Sequence, residues 1–167
     1  MTADLDEIDR RLLAAVQADS RLSQAALGTR VGLSAAAVNR RLRRLSDSGV
    51  ITGVTTVLAP ERLGHPLTVI AQVEVESEQA MPLDQVREAF VSCPQVQQCY
   101  NVAGDCDFVL VLVVRDMAEY LELTRTLFYG DPNVKRFKTQ VVLDRTKVTL
   151  DVPLDPTDDG GARTTGR

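Results

Sequence analysis

At 167 residues, 44% of them apolar, and with a formal net charge of −4, the chain is long enough to bury one core or two small ones. Its longest apolar run, FVLVLVV from Phe108 to Val114, is far too short to span a bilayer, and the opening MTADLDEIDRR is acidic where a signal peptide is basic and then apolar, so no membrane partner is expected and the expected location is the cytoplasm. Cys93, Cys99 and Cys106 form no CxxC pair and His65 is the single imidazole, which argues against a metal site and for reduced thiols.

The first predicted helix lies in LDEIDRRLLAAVQADSR, where Leu5, Ile8, Leu12 and Val16 recur at helical spacing. A second follows in LSQAALGTRVG, with Ser23 as its N-cap, Leu27 and Val31 inward and Gly32 as its stop. Ser34 opens a third, SAAAVNRRLRRLSDSG, which runs to Gly49. The tight Val31-Gly32-Leu33 connection between the last two makes a helix-turn-helix.

The net acidity conceals a local positive field. Residues 1–60 carry eight arginines against six acids, a balance of +2, whereas residues 61–167 carry eleven basic against seventeen acidic residues, a balance of −6. Six arginines and no acid lie between Asp19 and Asp47, as a patch that steers toward a polyanion requires. On a wheel of about 100° per residue, Val38, Leu42 and Leu45 share one side of the third helix. Ala36, Ala37, Arg40, Arg43 and Arg44 fall opposite, with Asn39 and Arg41 flanking. An arginine run is commonly a solvated face and nothing more. Here small residues at the helix N-terminus after Ser34 permit close approach, Asn39 can pair with adenine, and arginine can meet guanine or phosphate, so the expected partner is double-stranded DNA. Arg40 is placed for a base edge and Arg44 for a phosphate.

After Gly49, VITGVTTVLAPERLG is β-rich and suits a short wing hairpin followed by a strand-like linker. Pro60, Gly64 and Pro66 mark a domain boundary there, with His65 a solvated loop residue. From Leu67 the period becomes two: Val69, Ala71, Val73 and Val75 alternate with Thr68, Gln72, Glu74 and Glu76. MPLDQVREAFVSCP predicts a helix that begins just after Pro82, with Leu83, Val86 and Phe90 inward. VQQCYNV and FVLVLVV are strands around an AGDCD hairpin. MAEYLELTRTLFYG is a helix with Met117, Tyr120, Leu121, Thr124 and Phe128 inward, and VKRFKTQVVL is the last strand. The order βαββαβ closes as a ferredoxin-like sheet with both helices on one face. Its other face is too apolar to stay wet, so a second copy is expected against it.

These readings define an α+β fold: a winged helix-turn-helix over 1–52, a strand linker over 53–66, a ferredoxin-like domain over 67–152 and a disordered tail over 153–167. No paired carboxylates, activated nucleophile or phosphate-binding Gly-rich loop appears, so no catalytic residue and no cofactor is assigned. The motifs LDEIDRRLL, VGLS, RLRRL.DSGVI.G, GD.D and K.FKTQVVLD, in this order over residues 4 to about 152, resemble the Lrp/AsnC family of transcription factors. That resemblance implies homodimers, often assembled into tetramers or octamers, and an effector, typically an amino acid or a related small metabolite, bound near the GD.D hairpin at the contact between dimers. Asn101, Ala103, Gly104, Asp105, Cys106, Asp107 and Thr139 are then the effector-binding candidates. Asp105 and Asp107 can accept from an ammonium, and Gly104 and the following turn offer N–H groups to a carboxylate. Gly and Asp also dominate hairpin turns for backbone reasons alone, and Cys106 stands where the family usually carries an aromatic residue. The same fold includes nucleoid-organising proteins that need no effector and siroheme decarboxylases; a single histidine in a linker weighs against the latter.

Overall fold

The computed structural model describes residues 4–154, so the expectation for the tail from residue 155 onward lies outside the described residues. Two compact units emerge. The first takes the chain up to Thr56 together with the segment from Val148; the second is Val57–Lys147.

In the first unit, α1 (Glu7–Ala18), α2 (Gln24–Val31) and α3 (Ala35–Asp47) begin at side chains that satisfy the free N–H groups of a first helical turn. Asp6 caps α1, accepting from the Asp9 N–H at 2.7 Å. The hydroxyls of Ser23 and Ser34 accept from Ala26 and Ala37, each at 3.2 Å. Leu12, Leu27, Val31 and Val38 form the core, flanked by Ile8, Ala15, Val16, Leu22, Leu33 and Leu42. Two glycines shape the α2–α3 turn. Gly32 ends α2 in the left-handed region at φ 74°, where a Cβ is strained. Gly28 donates nothing to the core but lets α3 approach: a Cβ on it would stand 2.3 Å from the Leu33 carbonyl oxygen, and the Leu33 N–H donates to the Gly28 carbonyl at 2.9 Å.

The stretch expected to form a wing hairpin carries no strand pairing between Val50 and Ala59. Its first amides are used elsewhere: Val50 and Ile51 both donate to the Leu45 carbonyl, at 2.9 and 3.1 Å, closing the end of α3. Extended residues need a neighbour to become a strand, and Val54, at 72% exposure, has none among the described residues. At the other end of the unit the Gln17 side-chain amide grips the Val152 backbone twice, donating to its carbonyl at 2.9 Å and accepting from its N–H at 3.0 Å.

The second unit contains β1 (Leu67–Val75), α4 (Ala80–Ser92), β2 (Val96–Asn101), β3 (Phe108–Val114), α5 (Met117–Thr124) and β4 (Val134–Val141). The strands form one antiparallel sheet in the order β2-β3-β1-β4. Period-two patterning sends Val69, Ala71, Val73 and Val75 to the helix side, beside Phe108, Leu110, Leu112 and Val114. Phe90 of α4 meets Phe108 and Phe128 edge to face, with centroids 5.4 and 5.9 Å apart. Helix α4 begins at Ala80 rather than after Pro82, which places Pro82 within the first turn, where no intrahelical N–H is required. Along the next helix Tyr120, Thr124 and Phe128 are buried as expected, but Met117 and Leu121 are 42% and 55% exposed. Two turns of α5 bury only a narrow stripe, from which Leu121 is about 100° away. The π-helical turn Arg125–Tyr129 then brings Leu127 inward beside Phe128.

Glu119 ties this unit together at one end. Its carboxylate accepts from the Arg115 N–H at 2.7 Å, from Arg115 Nε at 3.1 Å and from Gln95 Nε2 at 3.0 Å. The Arg115 backbone hydrogen bond leads the causes that pull its pKa from 4.5 down to about 2. A carboxyl depressed by folding adds stability that is present above its unfolded value and lost as pH falls toward the folded one. Thermal melts should therefore show Glu119→Gln less stable than the wild type at pH 7, with the gap closing between pH 4.5 and 2. A gap independent of pH would assign the effect to packing.

Candidate DNA-binding surface and effector hairpin

The outward side of α3 presents Ala36, Asn39, Arg40 and Arg43, all exposed, behind the exposed N-cap Ser34. Ala37 is half-buried and lines an open depression with Leu33, Arg40, Arg41 and Arg44. Small side chains near the start of the helix and cations beyond them are what close approach to a duplex requires.

The four arginines are not equivalent. Arg41 Nη1 donates to Asp6 at 2.6 Å and to Asp9 at 2.7 Å, and Arg44 Nη2 donates to the other oxygen of Asp9. The Asp9 side chain is fully buried, whereas those of Arg41 and Arg44 are 26% and 55% exposed. Arg41's hydrogen bond, followed by the Asp9 backbone N–H, holds the Asp6 carboxyl below its usual range. Asp6 and then Asp9 raise the Arg41 guanidinium in return. The charge balance of the arginine-rich segment does not disclose this arrangement, because the acids are the N-cap and the first turn of α1 rather than residues within that segment. Arg40 and Arg43 have no carboxylate within ion-pair distance among the described residues.

At the β2–β3 hairpin the two aspartates also diverge. Asp107 Oδ2 accepts from the Val75 N–H at 2.7 Å, and the Asp107 N–H donates to the Val73 carbonyl at 2.9 Å. Its own carbonyl accepts from Val102 N–H and from Asn101 Nδ2, both at 2.9 Å. Asp107 and Asn101 thus join the hairpin to the end of β1, and the Asp107 charge is committed to a backbone amide. Ala103, Gly104 and Asp105 are exposed at the tip, with Gly104 at φ 150° and Cys106 half-buried. No hydrogen bond engages the Asp105 carboxylate among the described residues.

Asp105 and Cys106 open onto a depression whose other walls are Gln72, Glu74, Arg136, Phe137 and Lys138. Strand register explains the company: Gln72 pairs with Lys138 and Glu74 with Arg136 across β1 and β4, on the sheet face away from the helices. Glu74 accepts from Arg136 Nε at 2.5 Å and lies 3.0 Å from Lys135 Nζ. Those two cations, Lys135 first, lower its pKa. The depression therefore offers both signs of charge on a hydrogen-bonded strand pair. Thr139 is not part of it. Thr139 stands opposite the buried Ala71, and its hydroxyl lies 2.6 Å from that of Tyr120 on α5, so it belongs to the helix side of the sheet. Gln72, Glu74, Arg136 and Lys138 were not among the residues the sequence singled out, because only cross-strand register brings them to the hairpin.

A helix-turn-helix with an arginine-bearing third helix, followed by a βαββαβ sheet with a polar depression at its hairpin, defines a two-part DNA-binding regulator. Residues 5–52 match the winged helix-turn-helix DNA-binding model, and residues 68–152 match the Lrp/AsnC ligand binding domain. The chain belongs to the Lrp/AsnC family of transcriptional regulators. It is 41% identical over 152 residues to an uncharacterised HTH-type transcriptional regulator of Sinorhizobium fredii, covering 91% of this chain and 90% of that one. Among solved structures it is similar to an AsnC family transcriptional regulator from Agrobacterium tumefaciens, with TM-score 0.85, 28% identity and coverage of 92% and 99%. A transcriptional regulator from Neisseria meningitidis in complex with L-Met is also similar, with TM-score 0.84, 25% identity and coverage of 90% and 97%. No helix among the described residues is long and apolar enough to cross a membrane.

Proposed function

We propose that this regulator reads specific duplex sequences through α3 and answers to a free amino acid bound at the β2–β3 hairpin. The observation that carries the first half is the exposed row Ala36, Asn39, Arg40 and Arg43 beside helix-start residues small enough to enter a major groove. The second half rests on the depression at Asp105, which sets carboxylates and cations together as a zwitterion requires, and on the L-Met complex of the Neisseria relative. The protein acts as a homodimer through the sheet face that carries Ile70, Val109, Val111 and Val113, with the effector at a contact between dimers. A ligand there changes DNA occupancy only by binding one assembly better than another.

Repeated selection from a pool of random duplexes tests the reading. Wild-type protein should enrich one sequence with two related half-sites, spaced by about one helical turn or a multiple of it. Arg40→Ala should weaken binding to that sequence by about 1–3 kcal/mol and relax selectivity at one position of each half-site. Failure of the wild type to enrich any sequence would refute sequence-specific reading. A thermal-shift panel of the twenty amino acids identifies the effector, since a ligand that binds only the folded state raises Tm.

A further inference from the structure

We propose that Asp9 is a positioning residue for DNA recognition, whose buried carboxylate fixes two of the four α3 arginines and cancels part of their charge. The inference rests on the reading of α3 as the DNA-contacting helix. Both Asp9 oxygens are engaged, one by Arg41 and the other by Arg44. Asp9 also stands in the first turn of α1, in a capping box with Asp6, so the anchor is held by helix backbone rather than by a mobile loop. Arg41 has a second carboxylate, Asp6, and little exposure. Arg44 has one edge on Asp9 and remains more than half exposed. Its free edge is therefore presented at a set position on the α3 surface, alongside Arg40 in the same depression.

The consequence concerns discrimination more than raw affinity. A flexible cationic cluster binds any phosphate backbone, because counterion release carries no sequence information. A guanidinium whose orientation is fixed by a buried partner reaches phosphate only when the rest of the helix is seated, and contacts of that kind set register. Holding Arg41 and Arg44 against Asp9 suppresses sequence-independent binding and leaves Arg40 and Arg43 to respond to the bases. An ion pair in this setting is weak evidence for stability by itself; its value here is geometric.

The test compares the wild type and Asp9→Asn on two probes, sheared heterologous DNA and the duplex enriched by wild-type selection, across a range of salt. Asparagine keeps the size of the side chain and removes its charge. On sheared DNA, Asp9→Asn should bind more tightly, and its log K against log salt should steepen by about 0.9 for each phosphate newly contacted. Preference for the selected duplex over sheared DNA should fall about tenfold or more. A role confined to folding would lower both affinities together with an unchanged slope, and that result would overturn the proposal. Should Asp9→Asn lose its helical circular dichroism, Arg41→Gln and Arg44→Gln decide the matter on the selected duplex. Arg44→Gln, which removes the guanidinium with a free edge for phosphate, should flatten the slope by about 0.9, and Arg41→Gln, held by two carboxylates, by less than half as much; equal flattening would overturn the proposal. Wild-type protein that binds neither probe at low salt would instead sink the underlying reading of α3.

Discussion

Gly28→Ala is expected to unfold the helix-turn-helix while leaving the sheet unit intact. Two effects oppose each other. Alanine is the better helix former by about 1 kcal/mol, but its Cβ would lie 2.3 Å from the Leu33 carbonyl oxygen. The obstacle is backbone, so no side-chain rotation relieves it. Moving it breaks the Leu33-to-Gly28 hydrogen bond and shifts the start of α3, at a cost of about 3 kcal/mol, the upper end for overpacking. Steric cost wins, and a unit with a core this small has little stability to lose. The chain supplies its own reporters: Tyr100, Tyr120 and Tyr129 are its only tyrosines, it has no tryptophan, and all three lie within Val57–Lys147. Heating should show wild-type tyrosine fluorescence melting, while circular dichroism loses helical signal at a lower temperature and DNA binding is lost. Unchanged helical melting would mean that the α2–α3 turn opens without cost.

Features set by neighbours in sequence are legible in the chain, and features set by packing between elements are not. Caps and stops were legible because their chemistry is local: Ser23 and Ser34 accept from amides three residues on, and Gly32 closes α2 in a conformation that only glycine adopts easily. The ferredoxin-like order followed from period-two strands separated by helical stripes, and the sheet has that order. Asp9 was not legible. At its position in α1 it reads as a first-turn acid suited to the helix dipole, and only the packing of α1 against α3 turns it into a buried anchor. The wing hairpin failed for the complementary reason: β-rich residues after Gly49 state a preference for extended backbone, but a ladder needs a partner in register, and two of those amides are drawn to Leu45 instead.

The effector candidates divide along the same line. Composition made Asp105 and Asp107 look alike, each a hairpin acid in a GD.D motif. Geometry separates them, since Asp107 spends its carboxylate on the Val75 amide while Asp105 faces the depression beside Cys106, Arg136 and Lys138. Thr139, which the family resemblance implied, is linked to Tyr120 on the helix side. The strand residues that line the depression beside Asp105 include Gln72, Glu74, Arg136 and Lys138, because β1 and β4 align in that register.

Asp105→Asn then distinguishes a ligand-binding residue from a turn residue. Asparagine has the same size and nearly the same turn preference, so if Asp105 only shapes the hairpin the substitution should be silent. If its carboxylate accepts from the ammonium of an amino acid, the loss of a charge-assisted hydrogen bond should weaken binding by about 1.5–3 kcal/mol, which is more than tenfold in Kd. Among the described residues the Asp105 carboxylate accepts no hydrogen bond, so its neutralisation gives the hairpin no reason to reorganise. Calorimetric titration of the amino acid that most raises the wild-type Tm, into both proteins, reads the affinity. A DNA-shift assay with and without that amino acid reads the response. DNA affinity without effector should match the wild type, because no residue of the helix-turn-helix is changed. Equal amino-acid affinities and equal DNA responses in the two proteins would return Asp105 to the turn and move the search to the cations, Arg136 and Lys138, on the opposite wall.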